Sequence, residues 1–318
     1  MSRVCSEDRI HVLEKLTNVR RHGHSMKNII RSLLCEFGIS DDESIVPYYP
    51  KVRDREDVSV LKCKKSGVIF LSRTDHIDTA EYEAKEGFKY WETQDRKAAV
   101  LIGLEDDSRR SEQFKNIITN KKWIDVGTGV GGILDLLSPL AALTVAVEPQ
   151  EDVRRHLIEL GYKVFPSVDE VPYKDMEVAT LFHVFEHLCD PIGTLKALKS
   201  KMSPGAKIII EVPHAKDFLF SFLDLEAFKS FTFWSEHLIL HTRESLRIFL
   251  EKAGFSNISI ISHQRYPLAN HLHWLAKGKP AGHILWNHLT TPSLDTAYSD
   301  MLGKLDNTDT LIAVVTND

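Results

Sequence analysis

The chain has 318 residues, enough to bury a full core and carry one further module. Hydrophobic residues at 43% and charged residues at 27% are ordinary for a globular protein and argue against a disordered chain. Lys and Arg number 40 against 45 acidic residues, a formal charge of −5 that ill suits a nucleic-acid surface. The opening MSRVCSEDRI lacks the apolar run of a signal peptide, and no stretch approaches the roughly 20 apolar residues that span a bilayer. A cytoplasmic protein is therefore expected. Cys5, Cys35, Cys63 and Cys189 are scattered, which suggests neither a disulfide framework nor a metal cluster.

Residues 1–45 alternate basic and apolar positions (HVLEKLTNVR, then MKNIIRSLLCEFG) and predict two short amphipathic helices, the second ended by Gly38. VSVLKCKKSGVIFLS places two β-branched runs around Lys64-Lys65-Ser66-Gly67, a hairpin signal. Residues 78–118 are charged and helical in pattern. From Lys122 onward, strands alternate with helices: WIDVGTG, GGILDLLSPL, LTVAVEP, EDVRRHLIELG, YKVF, MEVATLFHVF, PIGTLKALKSKM, AKIIIEVP, TRESLRIFLEKAG and SNISIISHQ. Strands separated by helices of about 10–15 residues imply a parallel sheet with right-handed crossovers. DTLIAVVTN is a last, strongly β run, free to return antiparallel into the same sheet. The expected fold class is α/β, a doubly wound Rossmann-like seven-stranded sheet with its last strand antiparallel, plus a small N-terminal α+β module. The boundary is set at residues 1–118 against 119–318, with an insertion at about 264–309.

Asp125-Val126-Gly127-Thr128-Gly129-Val130-Gly131-Gly132 lies where the first strand of this unit turns into its first helix. So tight a turn, open to a ligand, calls for residues without Cβ. Gly127, Gly129 and Gly132 also fit the dinucleotide spacing G-x-G-x-x-G, so glycines alone do not separate a NAD site from another nucleoside site, and a loop packed on its helix would need them as well. The following strand ends in Val147-Glu148-Pro149, about 20 residues past the loop, where a carboxylate accepts ribose hydroxyls. Phe165-Pro166-Ser167-Val168-Asp169 follows the third strand and offers Ser167 or Asp169 to a base; an ordinary polar loop has the same composition.

Together DVGTGVGG, VEP and LFHVFEHLCDP resemble the class I S-adenosylmethionine-dependent methyltransferases, over residues 120–262. The resemblance implies an S-adenosylmethionine site at Asp125, Gly127, Thr128, Gly129, Gly131, Glu148, Pro149, Ser167, Val168 and Asp169. It sets His183 on the methyl-donor side and His187 within reach of substrate. Phe233-Trp234-Ser235-Glu236-His237-Leu238 resembles the Y-D-E-H segment of sugar C-methyltransferases, which implies Glu236 and His237 as general acid/base residues, with Trp234 in the tyrosine's place. An adjacent carboxylate would keep such a histidine basic. In those enzymes an N-terminal hairpin carries a C-x-x-C zinc knuckle. Here Cys63-Lys64-Lys65-Ser66 has serine at the second position, so the hairpin is expected without metal.

The insertion is read as loop-rich. It gathers Asn270, His271, His273, Trp274, Lys279 and His283, which fit no standard metal spacing. Asn270, His273 and Trp274 are expected to form a substrate wall; a packed interface between copies of the chain would use the same residues and leaves a homo-oligomer open. The partner expected is a small molecule, a sugar derivative by the resemblance, and not a nucleic acid. A NAD-type oxidoreductase and a non-catalytic cofactor-binding protein remain the competing readings.

Overall fold

The computed structural model describes residues 28–77, 82–84, 87, 88, 93 and 95–318. The helix expected over HVLEKLTNVR lies outside them. The second expected helix, α1 (Ile29–Glu36), is capped by the Asn28 side chain, which accepts from Arg31 N, and Gly38 follows it at φ +70°. Three strands come next: β1 (Ile45–Tyr49), β2 (Val60–Cys63) and β3 (Ile69–Leu71). β2 and β3 form the expected hairpin, whereas β1 was not foreseen. The 23-residue helix α2 (Arg96–Ile118) leads into the main unit.

The main sheet contains β4 (Lys122–Val126), β5 (Leu143–Val147), β6 (Val164–Phe165), β7 (Met176–Phe182), β8 (Met202–Pro213), β10 (Asn257–His263) and β11 (Thr310–Thr316). Its spatial order is β10-β11-β8-β7-β4-β5-β6, seven strands with β11 antiparallel to both neighbours. Both faces are covered, so alternate residues feed separate cores. On β4, Trp123 packs with Phe114, Leu134 and Leu157, while Ile124 packs on the other side with Ala179, Ile208 and Phe249. Chain order reverses between β4 and β7. Ligands of doubly wound folds bind at the C-terminal strand ends beside such a reversal.

Helices α3 (Gly132–Leu137), α4 (Glu151–Glu159), α5 (Pro191–Lys199) and α8 (Arg243–Lys252) sit where the periodicity predicts. Two short helices, α6 (Phe218–Ser221) and α7 (Glu226–Thr232), follow β8. Then β9 (Ile239–Leu240) pairs with β3, so the four-stranded N-terminal sheet borrows a strand from the second half of the chain. One continuous core runs from Ile30, Val60 and Phe70 to Ile124 and Ile208. The insertion is largely helical rather than loop-rich: α9 (Leu268–Lys277), α10 (Gly282–Leu285) and α11 (Pro292–Lys304). No helix among the described residues is long and apolar enough to cross a membrane.

Candidate active site

The glycine loop is tied to the neighbouring strand: Gly127 N and Thr128 N both donate to Val147 O, at 2.8 and 3.0 Å. Gly127 stands at φ +72°, and a Cβ there would lie 2.4 Å from Cγ2 of Val184 on the next strand's loop. Gly129 and Gly131 also have positive φ, +54° and +75°. Only glycine satisfies both the backbone and the contact at position 127. Arg96 clasps the loop from outside, donating to Val130 O at 2.7 Å and to Asp135 at 2.7 Å.

Glu148 directly follows β5 and is 1% exposed. Its carboxylate accepts from Gly129 N at 2.9 Å and from Gln150 N at 2.8 Å. Burial pushes this acid up to about 7, against those two N–H groups. Each carboxylate oxygen takes about two hydrogen bonds, so each keeps one acceptor position. That fits a ribose diol. Asp125, inside the end of β4, accepts from Thr180 Oγ1 at 2.5 Å, and Thr180 Oγ1 accepts from Trp123 Nε1 at 2.8 Å. Burial pushes Asp125 up to about 7 as well. Tyr82 lies near enough for Glu148 and Glu236 to add to the burial that raises its phenol.

Beyond β7 the chain turns through His183 at φ +54°, a left-handed conformation uncommon for residues other than glycine. His183 Nδ1 is 3.0 Å from Glu186 Oε1, while Nε2 lies 3.3 Å from Glu211 Oε1 and 3.1 Å from Arg265 Nη1. A neutral ring would accept from Arg265; a protonated one donates to both carboxylates. Burial alone would lower this histidine, but Glu186 and Glu211 outweigh it and raise it, favouring the cation. Glu211, fully buried on β8, also accepts from Arg109 at 2.9 Å and Arg110 at 2.7 Å, which hold it well below the usual carboxylate range despite its burial.

Glu186 is fully buried, and its Oε2 has no hydrogen-bond partner among the described residues. His187 donates Nδ1–H to the Glu236 carbonyl at 2.8 Å, which leaves Nε2 bare and 3.9 Å from Glu186 Oε1. His237 faces His187 with ring centres 5.0 Å apart, and its buried Nδ1 lacks a partner among the described residues. Trp234 meets both rings edge to face, at 6.1 and 5.5 Å, and carries the Arg53 guanidinium at 4.8 Å from its ring centre. A nucleoside cradle and a buried histidine–carboxylate cluster thus occupy the ends of adjacent strands.

A family model described as a methyltransferase domain matches residues 90–260, more than half of the chain. The chain belongs to that methyltransferase family. Its cofactor is S-adenosylmethionine. Among solved structures, the chain is similar to an S-adenosylmethionine-dependent methyltransferase from Archaeoglobus fulgidus, at 19% identity over 72% of this chain and 97% of that one, TM-score 0.47. A methyltransferase from Thermotoga maritima follows at 15% identity, 70% and 94% coverage and TM-score 0.45. Phosphoethanolamine N-methyltransferase 2 of Haemonchus contortus in complex with S-adenosylmethionine gives 13%, 66% and 52%, with TM-score 0.38. No curated protein matches the chain.

The methyltransferase brings most of the expected residues to one sheet edge. Ser167 sits just past β6, where its hydroxyl accepts from Glu170 N at 3.4 Å; Val168 is buried and Asp169 exposed. Pro149 carries a carbonyl that accepts from Arg154 at 2.6 Å. Two expectations need correction. No neighbouring carboxylate keeps His237 basic: burial pushes it down to about 3, with His187 adding to the effect, and the acid acting on it is Glu186. The wall expected from Asn270, His273 and Trp274 is turned inward. Asn270 Oδ1 accepts from Gly282 N at 3.1 Å, His273 Nδ1 contacts Lys279 O at 2.9 Å, and Trp274, 2% exposed, packs on Phe228 and Phe231. These residues hold the insertion together.

Sequence reasoning missed Glu186, Glu211, Arg109, Arg110, Arg265 and Tyr82. A signal for Glu211 existed: a lone acid inside the apolar run AKIIIEVP must find cations if it is buried. Glu186 stood within the quoted LFHVFEHLCDP segment, but nothing local distinguishes it from a solvated helix-start acid. Arg265 and α2 reach the site only through tertiary packing.

Proposed function

We propose that this enzyme methylates a small hydroxylated acceptor, a sugar or nucleotide-linked sugar, on carbon or oxygen. The observation that carries the reading is the shared edge: Val184, beside His183, abuts Gly127 of the nucleoside loop, and Tyr82 feels the charges of both Glu148 and Glu236. Bound at the loop and Glu148, S-adenosylmethionine supplies an electrophilic methyl group on a sulfonium. The chain's own residues then hold the acceptor in line with that methyl group while its proton leaves. His187, His237 and Glu186 gather three polar side chains beside that acceptor, with one ligand atom of each within 4.8 Å of the others. His183 has both nitrogens engaged and orients Glu186. Trp234 meets both histidine rings and carries the Arg53 guanidinium over its own, which sets the indole beside the cluster.

The test is formation of S-adenosylhomocysteine with a panel of nucleotide-linked sugars, free sugars and phenols, with product identified by mass. His237→Ala should lower turnover by about 10²-fold, the order of loss when a reacting group is misplaced by an ångström, and leave cofactor affinity nearly unchanged. Methylation of phenols but no sugar would remove the sugar assignment. Full turnover in a folded His237→Ala variant would remove the cluster from the chemistry.

A further inference from the structure

We propose that Glu186, His187 and His237 bind one divalent transition-metal ion whose open positions face the acceptor. One ligand atom from each residue lies within 4.8 Å of the other two. Two imidazoles and one carboxylate form a set that holds zinc, iron or cobalt and leaves coordination sites free for water or substrate. Metal–ligand bonds of about 2.1 Å place such donors roughly 3–3.5 Å apart. The trio must therefore close by about an ångström, which side-chain torsions supply.

Three further features point to a cation. Glu186 is fully buried with Oε2 unpartnered among the described residues, a costly arrangement for a carboxylate unless something occupies that position. His237 likewise buries an Nδ1 that has no partner among the described residues. His187 has its Nδ1–H tied to a backbone carbonyl, the outer hydrogen bond that fixes tautomer and aims Nε2 in metal-bound histidines. His183, bonded to Glu186 Oε1, plays the same orienting part for the carboxylate.

An ion here would act by Lewis acidity. This part of the inference rests on the methyl-transfer reading above. An acceptor hydroxyl bound to the ion loses its proton to water more readily than in solution. The resulting alkoxide oxygen supplies the electron pair of the new O–C bond, while the pair of the breaking C–S bond stays on sulfur. No oxidant or reductant is needed.

Chelator-treated, dialysed protein is titrated with Co²⁺, read by calorimetry and by the visible d–d spectrum. One Co²⁺ per chain is expected, with a spectrum free of thiolate charge transfer. Binding should weaken at least about 100-fold in His187→Ala and His237→Ala, and by a smaller factor in the near-isosteric Glu186→Gln, which guards against a folding artefact. No stoichiometric binding, a thiolate band, or unaltered binding in the His187→Ala/His237→Ala double variant would overturn the site. S-adenosylhomocysteine titrated into the same metal-free sample reports separately on the cofactor reading: cofactor binding without cobalt binding sinks the metal site alone. Equal transfer rates with and without bound metal would overturn the activating role.

Discussion

The buried Glu148 carboxylate makes cofactor affinity depend on pH in a calculable way. With the free protein's acid pushed up to about 7, roughly a tenth of it is ionised at pH 6 and nine-tenths at pH 8. Ribose hydroxyls donate to the ionised form, so affinity for S-adenosylhomocysteine should rise about tenfold between those pH values. The sign follows from linkage: an acid whose folded value is raised above its unfolded one destabilises the free fold as pH climbs from about 4.5 to 7, and binding recovers that loss. Asp125 is raised to a similar value but is bonded to Thr180, so its titration persists when Glu148 is changed. Calorimetry on Glu148→Gln therefore isolates the effect. That variant should bind roughly 10–100-fold more weakly at pH 8, the worth of a hydrogen bond to a charged group, and lose most of the pH dependence. Wild-type affinity that stays flat from pH 6 to 8, or a Glu148→Gln variant with an unaltered slope, would remove Glu148 from the ribose contact.

Two stability predictions concern the same edge. Gly127→Ala combines a left-handed backbone with a Cβ 2.4 Å from Val184 and should cost about 2–5 kcal/mol in urea unfolding; adding Val184→Ala should recover the packing part but not the backbone part. Arg110→Ala leaves Glu211 short of a cation in a fully buried position and should cost about 3–5 kcal/mol, against less than 1 kcal/mol for the exposed Lys51→Ala.

The main sheet was legible because each parallel strand is an apolar run bounded by turn residues, and each helix keeps its period. The antiparallel return of β11 came with the family resemblance, since DTLIAVVTN by itself shows only a strand. β1 was missed because Pro47 reads as a breaker; it is tolerated there because the strand is an edge and Pro47 is exposed. β9 has only two residues and exists through its pairing with β3. The helical insertion was mistaken for loops because Gly278, Pro280 and Gly282 crowd one stretch, yet Gly278 is the left-handed cap that ends α9, a signal present in the sequence. At the site, the residues named from local motif—Gly127, Glu148 and His187—lie at one edge. The arginines and carboxylates packed around His183 come from α2, β8 and the start of the insertion, with Arg110 and Glu211 101 residues apart and Asp106 and Arg265 159 apart. No local pattern carries such information.

On the proposed reading, the glycine loop and Glu148 hold S-adenosylmethionine at the C-terminal edge of the sheet. The most direct measurement is calorimetric titration of S-adenosylhomocysteine into wild type and Gly129→Val, with circular dichroism confirming that both are folded. One-to-one binding to wild type and its loss in Gly129→Val, where a branched side chain enters the nucleoside space at φ +54°, is the predicted result. Undiminished binding in a folded Gly129→Val variant, or none in wild type, would move the cofactor away from this loop.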